Sequence, residues 1–165
     1  GLIAFAKSGY IHERLRRQMH SSAYQRAYLG IAVGCVEPPN GTIDLPIGMA
    51  AGSTYQRAIC QNGQSAQTQY ETLANTARYT LLRLVPQTGR THQLRLHMAA
   101  IGFPLAGDWL YGAEAPELIA RPALHSAELT LTHPVTGESL HLDSALPTDM
   151  RALMDSNSSE SGELI

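Results

Sequence analysis

Between Pro86 and Gly112 the chain reads PQTGRTHQLRLHMAAIGFPLAGDWLYG, and no other stretch restricts the fold as much. A Gly-Arg-Thr turn leads into a helix over Thr91 to Ile101, with Thr91 as its N-cap and Gly102 as its stop. A Gly/Pro-rich loop follows, reaching Pro116. Leu94, Met98 and Ile101 form one apolar stripe at helical spacing. Arg95 lies beside that stripe, about 60° around from Met98, because three residues advance a helix by roughly 300°. An Arg on the border of a buried face needs a carboxylate or phosphate to offset its desolvation. Physics alone favours a local Asp or Glu in that role. The free N–H groups at the start of the helix point toward Arg90 and make an anion site.

The rest of the chain alternates extended runs with turn signals. Leu2 to Ala6 reads as a buried strand, and Ser8 as the N-cap of a basic amphipathic helix over Tyr10 to Met19. Strands are expected over Gln25–Val33, Gln56–Cys60, Ser65–Ala74 and Arg78–Val85. Glu37 to Gly41 is a turn cluster, and Thr42 to Gly48 is an edge or connector because Pro46 interrupts it. A hairpin is expected from Ala127–Thr132 and Glu138–Asp143, with a last helical turn or two over Thr148 to Met154. Strands paired by turns, with helices between them, predict an α+β fold on a mixed, mostly antiparallel sheet with flanking helices. The expected organisation is one domain over 1–154 and a mobile acidic, Ser-rich tail over 155–165.

No apolar run approaches a membrane span, and no signal peptide opens the chain, so a cytoplasmic, membrane-free protein is expected. Cys35 and Cys60 have neither C-x-x-C nor zinc spacing and read as reduced thiols, with a single disulfide left open by sequence. His92 and His97 are five apart and point to different sides of a helix. The other five histidines lack ligand spacing, which disfavours a metal-dependent hydrolase. No P-loop, nucleophile elbow or dinucleotide fingerprint occurs, so no cofactor and no metal are expected. The net charge of −2 argues against a nucleic-acid binder, but its distribution softens that. Lys7, Arg14, Arg16, Arg17 and Arg26 face Glu13 alone between Lys7 and Tyr28, a local +4. Eleven of the twelve cationic side chains are Arg, whose fork suits phosphate, although a solvated helix face is the ordinary reading of Arg14 to Arg17. Tyr28 follows Arg26 in an apolar strand. Packing is its default role, and a stacking surface for an extruded base is the functional alternative.

Several separated motifs, in order, resemble the RluA-type pseudouridine synthases over roughly Gly1 to Asp149. Gln25 to Gly34 resembles the family's K-x-Y-x-A-(x)-V-x-G strand, with Arg26 where Lys is usual. Ile43 to Gly48 resembles I-x-x-P-I-G, and Ala66 to Leu73 resembles A-x-T-x-Y-x-V-L. Gly89 to Gly112 resembles G-R-T-H-Q-I-R-x-H…G-x-P-x-x-G-D-x-x-Y-G. Leu124 to Ala127, His133 to Glu138 and Leu146-Pro147 resemble L-H-A…H-P-x-T-G-E…L-P. The resemblance implies the catalytic fold of that family and conversion of uridine to pseudouridine in ribosomal or transfer RNA without a cofactor. It implies Tyr28 as the active-site Tyr that packs against the base, and Arg95 as the Arg that orients a catalytic Asp. It implies Arg90, Thr91 and His92 as RNA-facing residues of the same cleft, and Leu124 and His125 as residues closing the pocket; the local charge of the Lys7–Tyr28 run, apart from the resemblance, makes Arg26, Arg14 and Arg17 the expected phosphate contacts. Asp108 is not the nucleophile on this reading. The family's H-R-L-D-x-x-T-S-G-L motif carries the Asp, and Gly1 to Lys7 resembles only its end and the following strand. The Asp is therefore expected just upstream of Gly1. This chain alone is expected to be inactive, and Arg95 to lack a buried carboxylate. RNA is the expected partner, and a monomer the expected state. The rival reading is a non-catalytic RNA-binding module on the same scaffold.

Overall fold

β1 (Gln25–Val33) is the hub of the sheet. It pairs antiparallel with β6 (Tyr79–Pro86) on one side and with β7 (Leu124–Thr132) on the other. The computed structural model, which describes residues 1–19, 21, 23–112 and 119–155, extends this sheet to six strands. β5 (Gln67–Asn75) and then β2 (Asn40–Asp44) lie beyond β6, and β8 (Ser139–Asp143) lies beyond β7. Every strand pairing among the described residues is antiparallel, and with the helices the fold is α+β as the sequence predicts.

Alternation along β1 builds two cores. Ile31 and Ala32 are both fully buried, on opposite faces. Ala32 joins Leu82, Leu84 and Leu105 under α2 (Gln93–Ala100), which contributes Leu94 and Met98. Ile31 joins Tyr79, Ala106 and Ala123 under α3 (Thr148–Asp155), which contributes Met150 and Leu153. Gly30 sits where Leu84, Leu105 and Leu124 close in; a Cβ there would lie 2.8 Å from a Leu84 methyl. Pro46 ends β2 and redirects the chain, as a residue without an N–H must. β3 (Ile47–Met49) instead pairs with β4 (Arg57–Ile59) as a small second sheet. That hairpin rests on α2 through Ile47 and Leu96, with Ile59 and Tyr111 packed alongside.

α1 (Gly9–Gln18) starts one residue before the predicted span, and Ser8 caps it by accepting the Ile11 N–H at 3.3 Å. It buries no residue. Its end is stapled to β7 by the Gln18 carboxamide, which donates to the Thr132 carbonyl at 2.8 Å and accepts the Thr132 N–H at 3.0 Å. Leu2 to Ala6 is not a strand. The Leu2 N–H bonds the Ser126 carbonyl, but Ile3 is 72% and Phe5 79% exposed. An apolar run becomes a strand only where an edge and a face await it, and this one finds a single bond. The helix after the Gly-Arg-Thr turn is shorter than predicted, beginning at Gln93 with His92, not Thr91, as its N-cap. Gly102 ends it as expected, with φ +90° and its N–H on the Ala99 carbonyl. The two cysteines are free thiols. The expected tail falls almost wholly outside the described residues, apart from Asp155, which closes α3.

Candidate functional site

The turn between β6 and α2 is held by side-chain amides rather than by a cap. The Gln93 carboxamide oxygen accepts the Arg90 N–H at 3.0 Å and the Thr88 hydroxyl at 2.7 Å. Its nitrogen donates to the Gln67 carbonyl and to Thr68 Oγ1 on β5, at 2.9 and 3.1 Å. Thr88 Oγ1 in turn accepts the Gln67 N–H at 2.9 Å. The network ends at His97, which is fully buried. His97 Nε2 faces the Leu45 carbonyl at 3.0 Å, so it must be the protonated nitrogen, and Nδ1 accepts from Thr68 Oγ1 at 2.9 Å. Burial, as the largest cause, pushes the His97 pKa below its ordinary value. A neutral imidazole is the form the network needs.

His92 completes the turn in a left-handed conformation, φ 58°, and makes no side-chain cap bond. That geometry is costly for a residue with a Cβ and concentrates at functional sites. This explains the failed Thr91 cap: the Gln93 N–H that a Thr91 cap would take goes to the Arg90 carbonyl at 3.1 Å, and His92 takes the bend. His92 Nδ1 lies 2.9 Å from the Tyr111 hydroxyl, which accepts the Arg57 N–H at 3.0 Å. The rings meet edge to face, with centroids 5.6 Å apart. Burial first and the Arg95 charge second push the His92 pKa down.

Arg95 does not lack a carboxylate. Its Nε and Nη2 donate to the two oxygens of Asp108 at 2.8 and 2.6 Å, a bidentate fork. Asp108 is 0% exposed and accepts the Leu110 and Tyr111 N–H groups as well. The expectation of an incomplete Arg95 is therefore corrected. The local acid that elementary desolvation arguments favour is present, delivered by the loop after α2. The guanidinium also lies 5.1 Å from the Tyr111 ring centroid.

These elements enclose a cleft of about 390 Å³ lined by Arg26, Tyr28, Arg90, Thr91, His92, Arg95 and Leu124, among others. Seven of the ten residues singled out from the sequence thus meet in one place. No Asp or Glu lines it among the described residues. His125 is not part of it: it lies one residue along β7 from Leu124, on the opposite face, with Nε2 3.2 Å from the Ser144 carbonyl. Arg14 and Arg17 lie elsewhere too, in a hollow against Thr132 to Gly137. The basic patch is largely occupied. Glu13 bonds both Arg16 and Arg17, which hold its carboxyl at about 2, and Arg14 donates to the Pro134 carbonyl at 2.6 Å. Sequence reasoning missed Gln93, Tyr111 and the Asp108 partnership. The need of Arg95 for an acid was the available signal, and Asp108 was the acid in the adjoining loop.

The chain resembles known proteins in sequence and in fold. The family model described as RNA pseudouridylate synthase matches residues 1–100. The chain is 40% identical over 162 residues to ribosomal large subunit pseudouridine synthase D of Nitrosomonas europaea, covering 93% of this chain and 47% of that protein. It is 38% identical over 155 residues to the uncharacterized RNA pseudouridine synthase YhcT of Bacillus subtilis, covering 93% and 51%. The fold matches human RNA pseudouridylate synthase domain containing 1 with a TM-score of 0.70 at 22% identity, over 92% of this chain and 71% of that one. The chain belongs to the RNA pseudouridylate synthase family. It spans about half the length of the curated relatives it matches.

Proposed function

We propose that this chain forms the base-binding part of an enzyme that isomerises uridine to pseudouridine in ribosomal or transfer RNA. In that reaction the C1′–N1 glycosidic bond breaks, the uracil turns, C5 bonds to C1′, the C5 proton leaves to solvent and N1 takes up a proton, so product and substrate have the same composition. The observation that carries the reading is the meeting of Tyr28, from β1, and Arg95, from α2, in one cleft whose described lining holds no carboxylate. Tyr28 offers a ring for an extruded base, and Arg90 and Arg26 offer charge to the flanking phosphates. Asp108 occupies two of the five N–H donors of Arg95 and leaves the rest for a second acid. On this reading that acid is the nucleophilic Asp of the family motif, expected just ahead of Gly1. Gly1 packs against the backbone of Ser126, the register partner of Tyr28, so chain arriving there is next to the cleft.

The test is tritium release from RNA labelled at C5 of uridine. The 165-residue chain should release none, while the chain extended by its own upstream coding sequence through an Asp-containing motif should release tritium in proportion to pseudouridine formed. Release by the short chain would refute the assignment of the nucleophile. An extended chain that binds RNA without release would favour the non-catalytic module.

A further inference from the structure

A second cavity adjoins the cleft and shares Arg90 and Thr91 with it. It has a volume of about 310 Å³ and lies between the β3–β4 hairpin and the Arg90 turn, with Arg57, Asn62 and Gln64 on its wall. No acidic residue lines it among the described residues. Arg57 is anomalous there. Its side chain has no ion pair or hydrogen bond among the described residues, and its Nε is buried without a partner. Four of the other Arg side chains with described structure, Arg16, Arg83, Arg95 and Arg121, each bind a carboxylate through two nitrogens. Arg90 is the second cation. It spends its Nε on the Ser65 carbonyl at 3.0 Å, which leaves both terminal nitrogens uncommitted. Two guanidinium groups on one cavity with no counter-charge repel each other. An unpaired buried donor adds a further cost. An anion entering the cavity relieves both.

We infer that this cavity binds one phosphodiester of the RNA strand, gripped by Arg57 and Arg90. The inference rests on the RNA reading given above and names a subsite within it. Arg90 borders the base cleft, this cavity, and the groove toward Tyr24 and Arg26. One strand can therefore run past Arg90 with a base in the cleft and a neighbouring phosphate beside Arg57. Arg is suited to the role because its planar fork matches two phosphate oxygens.

The experiment measures binding of a fluorescent single-stranded RNA oligonucleotide to the full 165-residue chain across a salt titration, for wild type, Arg57→Met and Arg57→Lys. Arg57→Met should weaken binding roughly tenfold. It should also lower the slope of log affinity against log salt by about 0.7, the loss of one single-strand phosphate contact. Arg57→Lys should keep the slope and recover part of the affinity. The thermal midpoint of Arg57→Met should equal or exceed that of wild type, because an unsatisfied buried donor is gone. If that variant melts earlier, the salt slope still decides, since partial unfolding lowers the active fraction and not the slope. A wild-type chain without salt-dependent RNA binding sinks the RNA reading. Wild-type binding matched by Arg57→Met in affinity and slope sinks the subsite alone. Inorganic phosphate at constant ionic strength supplies the last arm: protection from melting through Arg57, with RNA binding indifferent to Arg57, would assign the site to free phosphate and overturn the inference.

Discussion

Replacing Arg95 with Met removes the only cation bonded, among the described residues, to a fully buried carboxylate. Asp108 is 0% exposed and the Arg95 side chain 16%, so the pair is screened far less than a surface bridge. Breaking a buried pair from one side costs about 3 kcal/mol, because the remaining charge is left unpaired. Arg95→Met should therefore destabilise the chain by about that amount in urea denaturation, despite keeping the apolar stem. Arg95→Met combined with Asp108→Asn should cost less than the sum of the two single changes. Unaltered stability of Arg95→Met would contradict the assigned pairing. The same substitution has two consequences, since Arg95 also faces the cleft. Loss of activity in a longer, active form of the protein must be read beside the stability of the variant. Tyr28 offers the cleaner probe of the proposed base site, as no hydrogen bond of its side chain holds the fold among the described residues.

At the level of elements, α2 and its turn depend on a neutral His97. Its pKa is depressed in the fold and ordinary, near 6.5, in the unfolded chain. The unfolded state therefore binds the proton first as pH falls. The stabilising contribution is complete above about pH 6.5 and declines as pH drops from there toward the folded value. His92 is shifted in the same direction and adds to the effect. The urea midpoint should fall between pH 7.5 and 5.5, and His97→Gln should flatten that dependence; a midpoint that is constant or rises on acidification would count against the network. Much of this element pattern was legible in the sequence. β1 was placed to the residue, and the β5, β6, β7 and β8 runs were found, because alternation and turn residues are local signals. The two errors are of another kind. Leu2 to Ala6 has the composition of a strand but no edge to join, and the cap of α2 depends on Gln93 reaching β5. Partnership across the sheet leaves no local trace. The site divides the same way: motif order assembled the lining of the cleft, whereas Asp108 lies 13 residues from Arg95 and meets it only because the loop returns.

On the scale of the whole molecule, the two cores share one sheet and α1 stands outside both. The helix has no fully buried residue, and among the described residues its side-chain hydrogen bonds to the sheet and its hairpin are the Gln18 staple and the Arg14 bond to Pro134. Regions with few buried contacts open at low free energy. Hydrogen exchange in α1 should be faster than in β1 or β6, and Gln18→Ala should accelerate it further without moving the global unfolding midpoint. Protection in α1 equal to that of the sheet would contradict this. Gly30 has a reach of a different sort. It leaves room for Leu84 and Leu105, whose methyls would lie 2.8 and 3.2 Å from an added Cβ, whereas Leu124, part of the cleft wall, would keep an ordinary 3.7 Å. Interiors are close-packed, so an added methyl displaces its neighbours rather than vanishing into a void. An alanine at position 30 would therefore press first on Leu84 and Leu105 and reach the cleft only through them, so a residue no guest ever meets governs how firmly the wall behind the guest is held.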